Sequence, residues 1–336
     1  MKIAILVPTF SRFSGPDRVV EDEAERLSKT NEVTVFALKG DIRPKNYGLV
    51  LLGAPKSSFL ERVYRLFFFF DVFKVRKAVN QLNDFDEIIS FMYPMTVLAS
   101  KAKKRFGKDY VFYDMGIAYP ELFPKLSERI YLRLFKWLTK KTIKNADKAI
   151  CISNFLKQEL QKEVNLPAEV RYVNVDKRRF NRDISRAEAD EIKKKFGIKG
   201  KMLLYVGRIS PHKGIDLLVK AFKIVNEKLP DAKLVIAGKH TFGDYSKKLK
   251  KLANENVIFA GYVPDEDLPF YYKAAGLYTT ATLWEGFDMP AVEAQAVGKS
   301  VVAFDIGSHP EVVKSGVLVE PKNVEKFAEA IIRLLK

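Results

Sequence analysis

The chain has 336 residues, 47% of them hydrophobic, enough to fill two cores of ordinary size. Its 58 lysines and arginines against 41 acidic residues leave a formal charge of +17, and the single cysteine, Cys151, excludes an internal disulfide framework and suits a reducing, cytoplasmic compartment. No apolar run approaches the about 18 residues of a membrane-spanning helix, and no zinc, helix-turn-helix or RNA-binding signature accompanies the charge, so nucleic acid is not an expected partner.

KIAILVP (2–8) reads as a buried strand, not a secretory leader, because its apolar run stops at Pro8 and no small-residue cleavage site follows. The loop at its carboxyl end, Thr9–Asp17, carries Ser11, Ser14, Gly15 and Pro16; a helix is predicted over Val19–Leu27 and a strand over 32–38. This βαβ opening predicts a parallel sheet whose ligand side is the carboxyl ends of its strands. In Ser57–Leu82, Phe59, Leu60, Val63, Tyr64, Phe67 and Phe68 recur at helical spacing beside Arg62, Arg65, Lys74 and Lys77. Two arrangements satisfy that pattern: an amphipathic helix lying in a bilayer interface, or a helix whose phenylalanines are core. Residues 86–94 and 109–116 read as strands, the second ending at Asp114, Met115 and Gly116.

Pro124–Asp147 predicts a long amphipathic helix with Ile130, Leu134, Trp137, Leu138 and Thr142 on one side and a ring of basic residues elsewhere. Segment 56–77 has six basic and two acidic residues and segment 125–148 has eight and two, so their net charges of +4 and +6 equal the +10 of residues 1–175. An anionic membrane surface, met through 57–82 and 125–148, is therefore the expected partner of the basic charge. A strand over 148–153, a helix from Asn154 and the segment 170–180, with Asn174-Val175-Asp176 near its middle, close the first half, and 181–200 reads as a charged helical lead-in.

The second half opens on a buried strand, LLYVG, that delivers Gly207 and Arg208 to a loop, with Lys213 and Gly214 beginning the next helix. Two cations five apart on such a loop suit a diphosphate, whose charge must be balanced as it departs. Strands are predicted over 232–238, ending at Gly238, over 256–263 and over 276–282. The acidic run Asp265-Glu266-Asp267 reads as a helix start, and no cysteine and histidine cluster calls for a metal. His212 and His309, in loops, are expected at the surface. Glu285 then precedes a tight turn, Gly286-Phe287-Asp288, and a helix that begins at Pro290, holds Glu293 in its first turn and ends before Gly298. The unpaired N–H groups of that helix attract phosphate, and the two carboxylates offer acceptors to hydroxyl-rich ligands. Apolar runs at 300–307 and 317–321 complete the strands.

Glu285 and Glu293, with seven residues between them, flank Gly286, Phe287 and Pro290, and Gly207, Arg208, Lys213 and Gly214 fit a GR-x-x-x-x-KG segment. In both respects the chain resembles the retaining glycosyltransferases of family 4. The resemblance implies an α/β chain of GT-B fold, two Rossmann-like domains with parallel sheets facing across a cleft, here 1–176 for the acceptor and 177–336 for the nucleotide-sugar donor. It implies transfer of a sugar from a nucleotide diphosphate sugar to the hydroxyl of a glycan or a lipid-linked acceptor, with no cofactor and no metal. By the same resemblance Glu293 holds the ribose and Arg208 and Lys213 the diphosphate. Glu285, with the Gly286–Asp288 backbone, holds the donor sugar, and Gly207 and Gly238 lie near the donor. Gly15 stands where relatives carry a glycine-rich first loop, though only one glycine is present. Relatives often place a histidine near the transferred sugar; none occurs between Met1 and Arg208, and Asp114 is the nearest polar replacement, either taking the acceptor proton or capping the following segment. Relatives usually continue beyond KFAEAIIRLLK into a helix that crosses back to the first domain. The histidine-free first half keeps a second reading open, a non-catalytic nucleotide-sugar-binding subunit. Peripheral attachment at the inner face of a membrane is expected with either.

Overall fold

Short β-branched runs separated by amphipathic segments satisfy their backbone groups as parallel strands joined by helical crossovers. The computed structural model describes residues 1–11 and 15–336, so Ser14 of the expected first loop lies outside the described residues. The chain forms two compact units, residues 1–120 with 125–172, and residues 121–124 with 173–336. The main passage between them falls just before the boundary expected at 176.

The first unit holds β1 (Lys2–Phe10), β2 (Glu32–Gly40), β3 (Gly48–Leu51), β4 (Glu87–Ser90), β5 (Asp109–Asp114), β6 (Lys148–Cys151) and β7 (Ala168–Val170). All pairings are parallel, in the order β3-β2-β1-β4-β5-β6-β7. The edge strand β3 has no sequence signal of its own. Its four half-exposed residues form a strand because β2 offers an open edge. The second unit holds β8 (Met202–Val206), β9 (Lys233–Ala237), β10 (Val257–Gly261), β11 (Leu277–Thr280), β12 (Val301–Phe304) and β13 (Gly316–Val319), all parallel, in the order β10-β9-β8-β11-β12-β13.

Alternation along β8 shows why the second sheet needs helices on both faces. Leu203 and Tyr205 enter a core with helices Ile215–Lys228 and Val324–Leu335, while Met202 and Leu204 enter a second core with helices Leu268–Ala274 and Arg186–Lys195.

Several expected elements are shorter than their sequence pattern. Within the segment 170–180 the strand ends at Val170 and residues 176–180 turn on Asp176: its carbonyl accepts from Arg179 N at 3.1 Å and Phe180 N at 2.9 Å, and its carboxylate from Arg178 N at 2.9 Å. Residues 181–200 contain one helix, Arg186–Lys195, started by Ser185 and ended near Gly197 at φ 61°. The helical segment 57–82 breaks at residues 68–70. Phe68 turns into the core there, and Asp71 caps a second helix, Val72–Gln81, by accepting from Lys74 N at 3.2 Å. The first helix begins at Gly15, not Val19. None of the described helices is long and apolar enough to cross a membrane.

Candidate active site

In an open parallel sheet, neighbouring strands whose connections leave in opposite directions open a crevice beyond their carboxyl ends. In the second unit those strands are β8 and β11, since β8 leads to β9 on one side and β11 to β12 on the other. The loop after β8 carries Arg208 and Lys213; the loop after β11 carries Glu285. The fold thus brings together residues more than seventy positions apart, and the Lys213 ammonium forms an ion pair with the Glu285 carboxylate, each side chain 15% exposed. Arg208 is exposed, and its guanidinium has no acidic partner among the described residues.

Close backbone packing fixes the two loops. Gly214 follows a single 3-10 turn, Pro211–Lys213, at φ 59°, and a Cβ there would lie 1.9 Å from the Ala281 carbonyl. The His212 carbonyl accepts from Leu283 N at 2.8 Å and from the Thr282 hydroxyl at 3.2 Å. Gly238, at φ 154°, lies against Gly207 so closely that a Cβ would sit 1.8 Å from the Gly207 carbonyl. The chain's own backbone therefore requires both glycines, whatever else they contact.

His212 and His309 are buried, which corrects the surface placement expected of loop histidines. His212 stacks near Phe123 and contacts Ser210 Oγ through Nδ1 at 3.1 Å. Burial, with Lys213 and Arg208 nearby, holds its pKa well below the usual value, so it is neutral. His309 is different. Its Nδ1 donates to the Phe304 carbonyl at 2.6 Å and its Nε2 to Asp288 Oδ2 at 2.9 Å, so both ring nitrogens carry protons. Burial opposes that charge, but the Asp288 carboxylate overcomes it and raises the His309 pKa; burial likewise opposes charge on Asp288, and His309 lowers its pKa.

Asp288 occupies the left-handed region at φ 44° and caps helix Met289–Ala296 by accepting from Ala291 N at 3.1 Å. The helix thus starts at Met289, one residue before the expected Pro290. The Glu285 carbonyl accepts from Ser308 N at 3.1 Å, so the turn Gly286-Phe287-Asp288, all buried, is held at both ends by the segment 307–309. No sequence motif marked the His309–Asp288 pair; a histidine beside Pro310 and an aspartate before a helix were the available signals. Glu293 is 1% exposed and accepts from Tyr272 Oη at 2.8 Å, one turn inside the same helix.

In the first unit the corresponding strands are β1 and β4. Gly15 is exposed at the start of helix Gly15–Ser28. Asp17, two residues on, had no expected role. It is fully buried and accepts from Ser11 N, Ser11 Oγ and Thr9 Oγ1 at 2.9, 3.0 and 3.2 Å, which ties the helix start to the end of β1. Asp114 ends β5 and accepts from Gly116 N at 2.8 Å, so it does cap the turn that follows. Burial pushes both carboxyls up to about 6. Cys151, paired with Asp114 across β5 and β6, is buried, and burial raises its thiol to about 12.

The family description "Glycosyltransferase Family 4" matches residues 13–174, and "Glycosyl transferases group 1" matches residues 188–336. An uncharacterized glycosyltransferase of Methanocaldococcus jannaschii is 32% identical over 196 residues, which cover 55% of this chain and 50% of that protein. O-antigen chain mannosyltransferase B of Escherichia coli is 27% identical over 307 residues, 89% of this chain and 77% of that one. Mannosylfructose-phosphate synthase of Agrobacterium fabrum is 37% identical over 129 residues, 35% and 28% of the two chains, so this chain matches well under two thirds of some relatives. Among solved structures, sucrose-phosphate synthase from Thermosynechococcus elongatus has a TM-score of 0.82 at 19% identity, covering 99% of this chain and 89% of that one. Anabaena HepE, in complex with UDP and glucose, has a TM-score of 0.79 at 20% identity, covering 100% and 90%. Those identities speak for the fold alone, which is GT-B. With two Rossmann-like units, each matched by its own half of the family pattern, the chain belongs to the family 4, group 1 glycosyltransferases.

Proposed function

We propose that the chain is a retaining glycosyltransferase that moves a sugar from a nucleoside diphosphate sugar to a hydroxyl of a glycan or of a lipid-linked acceptor. The observation that carries this reading is the convergence, beyond β8 and β11, of an exposed guanidinium at Arg208 with the Lys213–Glu285 pair. Arg208 receives the diphosphate. Lys213 turns from Glu285 to the same anion, which frees the Glu285 carboxylate to accept from the hydroxyls of the donor sugar. The backbone of Gly286–Asp288 borders that sugar. Glu293 is assigned the ribose by family pattern alone; its Oε2 accepts from the Tyr272 hydroxyl. Gly207 and Gly238 shape the floor beside the donor, and Gly15 marks the first loop of the acceptor unit.

The step needs no protein nucleophile and no metal. The bond between the anomeric carbon and the phosphate oxygen breaks, the acceptor oxygen bonds to the same face of that carbon, and the acceptor proton passes to the departing phosphate. Arg208 and Lys213 offset the charge that grows on the diphosphate. Asp114 serves the acceptor hydroxyl.

Thermal shift against UDP-, GDP- and ADP-sugars, with wild type and Arg208→Ala, tests the site. Stabilisation of wild type alone by one nucleotide class supports the reading, because a ligand that binds only the native state raises its stability. No shift with any class at saturating concentration overturns it. The anomeric configuration of the product, read by NMR, tests retention separately.

A further inference from the structure

The two basic segments of the first unit are neighbours in space, and each turns an apolar stripe away from the body. On helix Ser58–Phe67 and the turn after it, Phe59, Val63, Phe67 and Phe70 follow one another at spacings of four, four and three and are all exposed, Phe59 by 70%. Phe73, the second residue of helix Val72–Gln81, is 90% exposed. On helix Leu126–Ile143 the same spacing recurs in Leu126, Ile130, Leu134 and Trp137, again all exposed. The helices are tied by Arg62, which makes a two-pronged pair with Glu128 at 2.5 and 3.0 Å and lies 4.4 Å from the Tyr131 ring centre. Tyr93 bridges them further, donating to the Leu66 carbonyl at 2.6 Å and packing on Phe135. Phe68 and Leu66 are core, while four phenylalanines of the segment, Phe59, Phe67, Phe70 and Phe73, face solvent.

Charge is sorted across the same helices. Glu61 is buried and paired with Lys39 and Arg65; Glu128 is paired with Arg62; Asp71 with Lys74 and Tyr64. Near the second helix, Asp147 is held by Lys103 and Glu163 by Lys136 and Lys140. These acidic side chains are thus committed to partners of their own, and Lys56, Arg76, Lys77, Lys141 and Lys144 are exposed on the same helices and the loop before them.

We propose that this face docks on an anionic lipid surface, with the aromatic and aliphatic stripes in the interfacial layer and the basic side chains against headgroup phosphates. An apolar stripe with a cationic rim, beside which Glu61, Asp71 and Glu128 are held in ion pairs, complements such a surface on both counts. A second copy of the chain is the poorer occupant, because a two-fold contact would set each basic rim against its own copy. The inference is independent of the sugar-transfer reading, since it uses no residue of the donor site.

Flotation of the full chain with phosphatidylcholine vesicles, with and without phosphatidylglycerol, tests it. Binding to the mixed vesicles is expected to be at least about tenfold tighter than to phosphatidylcholine alone and to weaken with salt. The exposed changes Phe59→Ser with Phe73→Ser, and separately Arg76→Glu with Lys77→Glu, are each expected to lower it about tenfold while leaving the circular dichroism and the melting temperature unchanged. Equal failure with both vesicle types, or binding indifferent to both variants, overturns the proposal. Lipid-free dimerisation in sedimentation that Phe59→Ser with Phe73→Ser abolishes assigns the face to a second copy instead.

Discussion

The carboxyl ends of the two sheets treat charge in opposite ways. Beyond β8 and β11, lysine meets glutamate and histidine meets aspartate, each pair closing within a few ångströms, and one arginine is left facing solvent. Beyond β1 and β5, Asp17 and Asp114 accept from backbone and hydroxyl donors, and burial raises both to about 6. A standing positive charge suits an anionic leaving group, whereas a carboxyl poised near neutrality suits a hydroxyl whose proton must move. The second unit therefore closes its charged side chains into pairs, and the first holds its buried carboxyls in hydrogen bonds.

The sharpest way to break that contrast is to remove the standing charge. Arg208→Ala and Lys213→Ala are each expected to lower kcat/KM by about 100- to 1000-fold and, for Arg208→Ala, to abolish nucleotide-sugar stabilisation with little change in the melting temperature of the free protein. Steady-state kinetics with the donor found by thermal shift checks both. Retained activity in Arg208→Ala would remove the leaving-group role.

Next in size is the buried pair. His309→Leu leaves the Asp288 charge buried without its partner and is expected to cost about 3–5 kcal/mol in denaturant unfolding. The pH sign differs for the two members. The raised pKa of His309 gives stability that is present below its unfolded value and lost as pH rises through its folded one. The lowered pKa of Asp288 gives stability present above its unfolded value and lost as pH falls through its folded one. Wild type should therefore lose stability on both sides of a plateau, and His309→Leu should lose the alkaline limb; an unchanged alkaline limb would show that His309 is neutral in the folded state.

Gly238→Ala tests whether the loops are set by backbone contact. The added Cβ meets the Gly207 carbonyl at a φ that disfavours side chains, so a loss of about 2–4 kcal/mol is expected, together with weaker donor binding, by calorimetry and thermal shift. A stability loss with undiminished donor affinity would separate the glycine from the site.

The smallest effect belongs to the first unit. Because burial raises Asp114 to about 6, its contribution to stability is present below its unfolded pKa near 3.8 and is lost as pH rises through about 6. Asp114→Asn should therefore raise the melting temperature at pH 8 by a few degrees at most, about 1–3 °C. If the carboxylate serves the acceptor, the same change removes the acidic limb of kcat near pH 6 and leaves donor affinity intact. A slower enzyme with that limb unchanged would confine Asp114 to capping its turn.

Legibility in the sequence followed how local the cause was. The six strands of the second sheet, the glutamates about Gly286 and the Arg208–Lys213 loop could be read because short apolar runs, a proline at a helix start and fixed spacings are properties of neighbouring residues. The strand β3 and the burial of His309 could not be read that way. An open sheet edge and a carboxylate twenty-one positions away decided them. The split fate of the phenylalanine run belongs with these, since a helical period marks a stripe but not what covers it.

By itself the sequence determined the α/β class, most of the strands and helices in their order, the family pattern and the basic balance of the first half, all of which are written in composition and spacing. Only the tertiary structure decided which distant groups meet. The strand order carried Lys213 to Glu285 and Asp288 to His309, and helix packing set Arg62 against Glu128 with two apolar stripes left outside. The reason is that a charge is satisfied, or an apolar side chain covered, by whatever the fold places against it, and chain spacing sets only what lies next along the chain.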